Sequence, residues 1–167
     1  GTDPTPNSVS TAGGTFSEFS GNLSIDALTG EINLALSSAG TYWVKYTTNG
    51  ICPNEDSIQI TLNIEDDPAF GYATTTYCQE DTDPSPNIIS TPGGTFAEIT
   101  GNISIDAASG TINLGLSNAG TYWVTYTTNG LCPNEDSLQV TINLEDDPTF
   151  NYVSAEFCLA GTNETPV

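Results

Sequence analysis

The sequence predicts an all-β protein built of tandem two-layer sandwiches, and three observations point there. Apolar and polar residues alternate in short runs, as in "SIQITLNI", where Ile58, Ile60, Leu62 and Ile64 share one face. Proline and glycine clusters, such as Asp3-Pro4-Thr5-Pro6 and Gly13-Gly14, separate those runs, and no window carries a helical period. The chain then repeats itself. Residues 2–67 align with 82–147 without a gap, at an offset of 80, and 47 of the 66 pairs are identical. A period of this length is too long for a solenoid coil and suits a sandwich domain.

The elements follow in order. "GGTF" starts a short strand after a glycine turn. "NLSID" and "EINLAL" read as strands around the turn "ALTG", where Gly30 supplies backbone freedom. "GTYWVKYTT" is a long strand after "SSAG", and "SIQITLNI" closes the unit. The second copy has the same order. "PAFGYATTTYC" from Pro68 opens a unit and is echoed by "PTFNYVSAEFC" from Pro148. The expected fold is therefore a tandem array of immunoglobulin-like, cadherin-like β-sandwich repeats of 80 residues. Residues 1–67 form a first repeat lacking its opening strand, and 68–147 a complete second one. Residues 148–167 are the opening strand of a following repeat, or a strand donated to the open edge of another copy.

Composition narrows the function. The 167 residues include 21 Asp+Glu against one Lys+Arg, a formal charge of −20, with no histidine and no methionine. Such a chain is repelled by nucleic acid and by anionic membranes. No segment approaches the roughly 20 apolar residues that span a bilayer. There is no histidine base, nucleophile motif or phosphate loop. Paired carboxylates of the glycosidase kind exist, but all lie in loops and linkers, so an enzyme is not expected.

In "GTYWVKY" the alternation puts Tyr42, Val44 and Tyr46 on one face, the expected core, with Tyr42 or Tyr46 as a corner tyrosine. Trp43 and its copy Trp123 then fall on the outer face. There they are candidates for stacking on a sugar or a partner, or simply for cross-strand packing.

The cysteines are Cys52, Cys78, Cys132 and Cys158, with no CxxC spacing, which favours disulfides in an oxidising, extracellular setting. In an immunoglobulin-like topology Cys132 lies in a loop at the N-terminal end of its domain, and Cys78 lies in that domain's opening segment. A Cys78–Cys132 bridge is expected, provided the opening strand is short or bent. It would stabilise the unit by about 4 kcal/mol. Cys52 and Cys158 are then left unpaired or intermolecular. Pairing Cys52 with Cys78, and Cys132 with Cys158, is the alternative.

Acids crowd the joints. Glu65, Asp66 and Asp67 precede Pro68, and Glu145, Asp146 and Asp147 precede Pro148. The loop "CPNEDS" brings Asn134, Glu135 and Asp136 toward the first joint. Neighbouring carboxylates repel by roughly 1 kcal/mol per pair in water, and a bound cation relieves this. Ca2+, which takes six to eight oxygens, is the natural candidate, with Asp3, Asp81 and Asp83 as further ligands or as turn caps. A solvated acidic surface is the plainer reading. The "EDDP" joint resembles the linker of cadherins, where calcium stiffens the array, but lacks the full Asx-rich motif.

Taken together, "YCQEDTDPSPNIISTPGGTF", "ISIDAASGTINL", "AGTYWVTYTTNGLCP" and "SLQVTINLEDDPTFNY" resemble the immunoglobulin-like repeats of giant secreted Bacteroidetes surface proteins, including gliding-motility adhesins. The resemblance implies type IX export, a cell-surface location, and a role as an adhesin or long fibre. It also implies O-glycosylation at Ser57 in "DSI" and Ser137 in "DSL". Two roles stay open: a structural stalk or filament segment whose partners are neighbouring repeats or end-to-end copies, and an adhesive module for glycan or protein.

Overall fold

The structure, a computed structural model, describes residues 1–152 and residue 156. It is a tandem β-sandwich. The first repeat contributes β1 (Thr15–Glu18), β2 (Gly40–Thr47) and β3 (Glu55–Leu62). They form one antiparallel sheet in the order β1-β2-β3. A single bridge between Ile25 and Ile32 marks the opposite layer.

The second repeat is fuller. Its strands are β4 (Phe70–Gly71), β5 (Thr76–Cys78), β6 (Ile88–Ile89), β7 (Thr95–Glu98), β8 (Ser104–Ile105), β9 (Ile112–Asn113), β10 (Gly120–Thr127) and β11 (Glu135–Asn143). One sheet runs β5-β11-β10-β7, and the facing layer holds the pairs β4-β6 and β8-β9. The opening segment thus serves both layers. β4 pairs antiparallel with β6, and after a bend β5 pairs parallel with β11, with Thr76 opposite Thr141 and Cys78 opposite Asn143. This change of sheet places three aromatic side chains, Phe70, Tyr72 and Tyr77, in the second repeat's core.

The long strands follow the alternation in the sequence. Val124 and Tyr126 are buried while Trp123 faces out. Tyr126 latches a turn: its hydroxyl donates to the Thr91 carbonyl at 2.6 Å and accepts from the Gly94 N–H at 2.8 Å. Tyr46 makes the same pair with Thr11 and Gly14. Tyr42 instead donates to the Ser38 carbonyl. Of the two expected corner tyrosines, Tyr46 is the one that latches a distant loop.

"EINLAL" is only partly a strand. After Ile32 the chain tightens into a 3-10 turn over Leu34–Leu36, because the Asn33 carboxamide oxygen accepts the Leu36 N–H at 3.0 Å. The second copy repeats this at Leu114–Leu116. Asp3 and Asp83 do not cap a local turn. Each accepts the N–H that starts the 3-10 turn, Leu34 or Leu114, across 31 residues at 2.9 Å.

Two separate hydrophobic clusters result, and they differ in completeness. The second repeat buries Phe96, Ile112, Leu114, Val124, Tyr126, Val140 and Ile142 together with the three opening-strand aromatics. The first buries only Leu23, Ile32, Tyr42 and Val44, with Phe16, Ile60 and Leu62 half-buried around them.

Candidate functional site

The first candidate is an apolar groove of about 560 Å³ in the first repeat. Phe16, Ile32, Val44, Tyr46, Ile60 and Leu62 line it. Its copy in the second repeat is filled. There Phe70 packs edge-on against Phe96 at 5.4 Å and against Tyr126 at 5.9 Å. The Tyr72 hydroxyl donates to the Gly110 carbonyl at 2.5 Å. Burying such side chains stabilises a sandwich by roughly 1.5–3 kcal/mol each. In the first repeat no described strand supplies them, so Ile58 is 60% exposed, whereas its counterpart Leu138 is half-buried.

The joint is the second candidate. Asp66 is its anchor. Its N–H donates to the Cys132 carbonyl at 2.9 Å, and its carboxylate accepts the Gly130 N–H at 2.9 Å. At Gly130 an added β-carbon would meet that carboxylate. Nothing lies near the corresponding position of Gly50. Sequence reasoning singled out Asp66 but missed Gly130, since "TTNG" occurs in both repeats and only the contact distinguishes them.

The remaining acids do not converge. Asp67 accepts the Ala69 N–H and Asp147 the Thr149 N–H, so the "DP" pairs are local turns. The Asp147 carboxyl is held below its ordinary value by the side-chain and then the backbone hydrogen bond from Thr149. Glu145 accepts the Glu80 N–H at 3.3 Å. In the loop, the Asn134 carboxamide oxygen accepts the Glu135 N–H, Glu135 accepts the Thr127 hydroxyl, and Asp136 accepts the Ser137 N–H. Asp81 accepts the Cys78 N–H. Among the described residues no three acidic or cysteine side chains gather as a metal site. The expected calcium ligands Glu65, Asp66, Asp67, Asn134, Glu135, Asp136, Glu145, Asp146 and Asp147 are thus not gathered as one cluster among the described residues. The carboxylates satisfy backbone donors or face water.

The expected Cys78–Cys132 bridge is also corrected. Cys52, Cys78 and Cys132 are free thiols. Cys78 stands opposite Asn143, at the far end of β11, while Cys132 precedes the start of β11 at Glu135. Nine residues at about 3.3 Å each separate them by more than 25 Å, and a disulfide needs Cα atoms within about 7 Å. The opening strand is bent, as the bridge required, but the bend sends it on parallel to β11 and away from Cys132. Burial, then the carboxylates of Glu145, Asp81 and Asp146, push the Cys78 thiol up. Cys158 lies outside the described residues.

Trp43 and Trp123 are half exposed on the outer sheet faces, opposite Gln59 and Gln139. Ser57 and Ser137 are exposed on β3 and β11. Ser57 borders the groove, Trp43, Trp123 and Ser137 do not, and none of the four belongs to the Asp66 anchor.

No family model matches the chain, and no curated protein matches it either. Solved structures do. Mouse cadherin-23 repeats EC22-24 are similar at 12% identity over 80% of this chain, with a TM-score of 0.33. Human protocadherin-24 EC1-2 matches at 12% identity over 82% of this chain and 84% of its own, with a TM-score of 0.34. A protocadherin gammaB7 EC3-6 cis-dimer structure matches at 15% identity over 87% of this chain and 43% of its own, with a TM-score of 0.34. The chain spans about half, 54%, of the cadherin-23 fragment. These are likenesses of fold and nothing more. No helix among the described residues is long and apolar enough to cross a membrane.

Proposed function

We propose that the chain is a structural stalk or fibre segment of an extracellular bacterial surface adhesin, made of repeats that each carry their own core. The units are residues 1–67, 68–147, and a further opening strand at 148–167. The observation that carries this reading is the Asp66 anchor: the linker leaving one repeat is hydrogen-bonded to the 130–132 loop of the next. Near-identity of the repeats supports it too, because a dedicated binding domain would diverge from its neighbour. The motif resemblance to the secreted repeats of Bacteroidetes supports a cell-surface setting and a filament of the gliding-adhesin kind, with Ser57 and Ser137 as exposed sugar acceptors.

Small-angle scattering tests the joint. The Gly130→Ala variant, whose new methyl group displaces the Asp66 carboxylate, is expected to show a broader distribution of dimensions than the wild type. An unchanged profile would remove the anchor from the argument.

A second reading is adhesion, favoured by one observation: Trp43 and Trp123 present matching half-exposed rings, 52% and 53% accessible. Glycan-array binding that is lost in Trp123→Ala would establish it.

A further inference from the structure

We infer that the Asn129–Gly130 pair is a site of spontaneous self-modification, that the Asp66 carboxylate of the linker guards it, and that its reaction unlocks the joint irreversibly. The chain contains two Asn-Gly pairs, Asn49–Gly50 and Asn129–Gly130, each in the loop between two long strands. In such a pair the asparagine carboxamide is open to attack by the nitrogen of the next residue, because glycine has no β-carbon to block the approach. Asn129 and Gly130 are both exposed, so water reaches them. The Asn129 carboxamide rests over the turn at Gly93, where an added β-carbon would lie 3.7 Å from its Oδ1.

The chemistry needs no reactant but water. The Gly130 nitrogen loses its proton and attacks the Asn129 Cγ. A C–N bond forms, the bond from Cγ to the side-chain nitrogen breaks, and that nitrogen takes up a proton and leaves as ammonia. The product is a five-membered succinimide. Water then adds to either ring carbonyl and breaks that carbonyl's bond to the ring nitrogen, which leaves aspartate or isoaspartate at position 129. One water enters, one ammonia departs, and nothing is oxidised or reduced.

The joint controls the first step. The Gly130 N–H donates to the Asp66 Oδ2 at 2.9 Å. This bond fixes the plane of the peptide between Asn129 and Gly130, and that plane must turn for the ring to close. It also sets a negative charge beside a nitrogen that must itself become negative, which disfavours loss of the proton. A carboxylate is far too weak a base to take an amide proton in compensation. The base of the loop is closed within the second repeat: the Thr128 N–H donates to the Asn134 carbonyl at 2.9 Å, and the Thr128 hydroxyl accepts the Asn134 N–H at 2.8 Å. The bonds from Asp66 come from the linker instead, one to Gly130 and one from its own N–H to the Cys132 carbonyl. While the linker is seated, the pair is protected. When it lifts, the nitrogen is released.

The reaction then opposes the linker's return. Either product puts a new carboxylate one residue from the Gly130 N–H, where it repels Asp66. Isoaspartate also routes the chain through the β-carbon, and the added backbone atom moves the N–H away from its acceptor. A joint that has lifted for long enough to react stays loose, so an array of such joints softens with age.

This inference goes beyond the stalk reading and shares with it only the Asp66 anchor. The two fail separately, since scattering of Gly130→Ala reads the dimensions of the joint and peptide mapping reads the bond. The test is incubation of the 167-residue chain at mildly alkaline pH, with mass spectrometry of chymotryptic peptides at intervals. Asp66→Ala is expected to speed the loss of Asn129 about tenfold, the factor that a hydrogen bond to a charged group is worth. Asp66→Asn, which keeps an acceptor but no charge, should fall between. Asn49 in the same digests is the reference and should react at one rate in all three proteins. Scattering of the aged Asp66→Asn chain should broaden as position 129 converts, and the aged double variant with Asn129→Gln, whose longer side chain closes a ring far more slowly, should not change. Equal loss of Asn129 with and without Asp66 would overturn the inference, as would slower loss in Asp66→Ala, which would make the carboxylate a base. An equal rise at Asn49 would overturn it too, because the effect would then be a general loosening of the chain.

Discussion

Asp106 shows how much one carboxylate can organise. Its Oδ1 accepts the N–H groups of Ala108 at 3.1 Å and Ser109 at 2.7 Å, and the Ser109 hydroxyl at 2.8 Å. The backbone bond from Ser109, then its hydroxyl, then the backbone bond from Ala108 hold the carboxyl below its ordinary 3.8, and Asp26 is lowered the same way by Thr29 and Leu28. A carboxyl depressed by folding stabilises the protein above its unfolded value. That contribution is lost as pH falls below 3.8 through the depressed folded value. Asp106→Asn is therefore expected to lower the melting temperature at pH 7 and to flatten its acid fall, so that variant and wild type converge near pH 2. A constant difference at every pH would show that the turn does not depend on ionised Asp106. Three residues suffice for this turn, which is why its first-repeat counterpart "ALTG" was readable as one. The Asp83 bond to Leu114 spans 31 residues and was not, because nothing local in "TDPSP" says which distant N–H it will meet.

At the scale of elements, the opening strand decides how complete a sandwich is. The long strands β2, β3, β10 and β11 were legible from alternation alone. Alternation could not show that the opening segment divides into β4 and β5, because a two-residue strand carries no period. Nor could it show the parallel pairing with β11, which depends on a bend and on contacts 65 residues away. The disulfide expectation failed for that reason: the direction of β5 after the bend sets where Cys78 goes. The arrangement of the joint acids was not legible either, because charge clustering in sequence does not give side-chain direction, and backbone donors took several of the carboxylates. With its opening strand in place the second repeat buries Phe96 almost fully, while Phe16 in the first is half-buried. Phe96→Ala should cost about 3–5 kcal/mol. Phe16→Ala should cost clearly less, because its ring already meets water. Chemical denaturation followed by hydrogen exchange on β2 and β10 separately would check both, and β2 should exchange faster in the wild type. Equal costs and equal protection would mean that the groove is closed in solution.

For the whole molecule, charge sets the conditions under which repeats hold and meet. The chain carries −20, and its one lysine, Lys45, is already engaged with Glu55 at 2.7 Å while lying 5.3 Å from the centre of the Phe19 ring. That exposed pair contributes little. Most of the acids therefore act on one another through solvent, and this repulsion opposes the compact state. Screening should relieve it. The Debye length falls from about 30 Å at 0.01 M salt to about 10 Å at 0.1 M, which is shorter than a repeat. The melting temperature is expected to rise by several degrees over that range of sodium chloride and to level off beyond it. Calcium and magnesium chloride at equal ionic strength should act alike, because among the described residues no group of three acidic side chains is assembled to tell them apart. Differential scanning calorimetry with sodium, magnesium and calcium chlorides and with chelator reads all of this in one series. A rise specific to calcium, at concentrations too low to screen, would mean that the joint carboxylates gather around an ion after all, and that the Asp66 anchor is one arrangement of the linker among others.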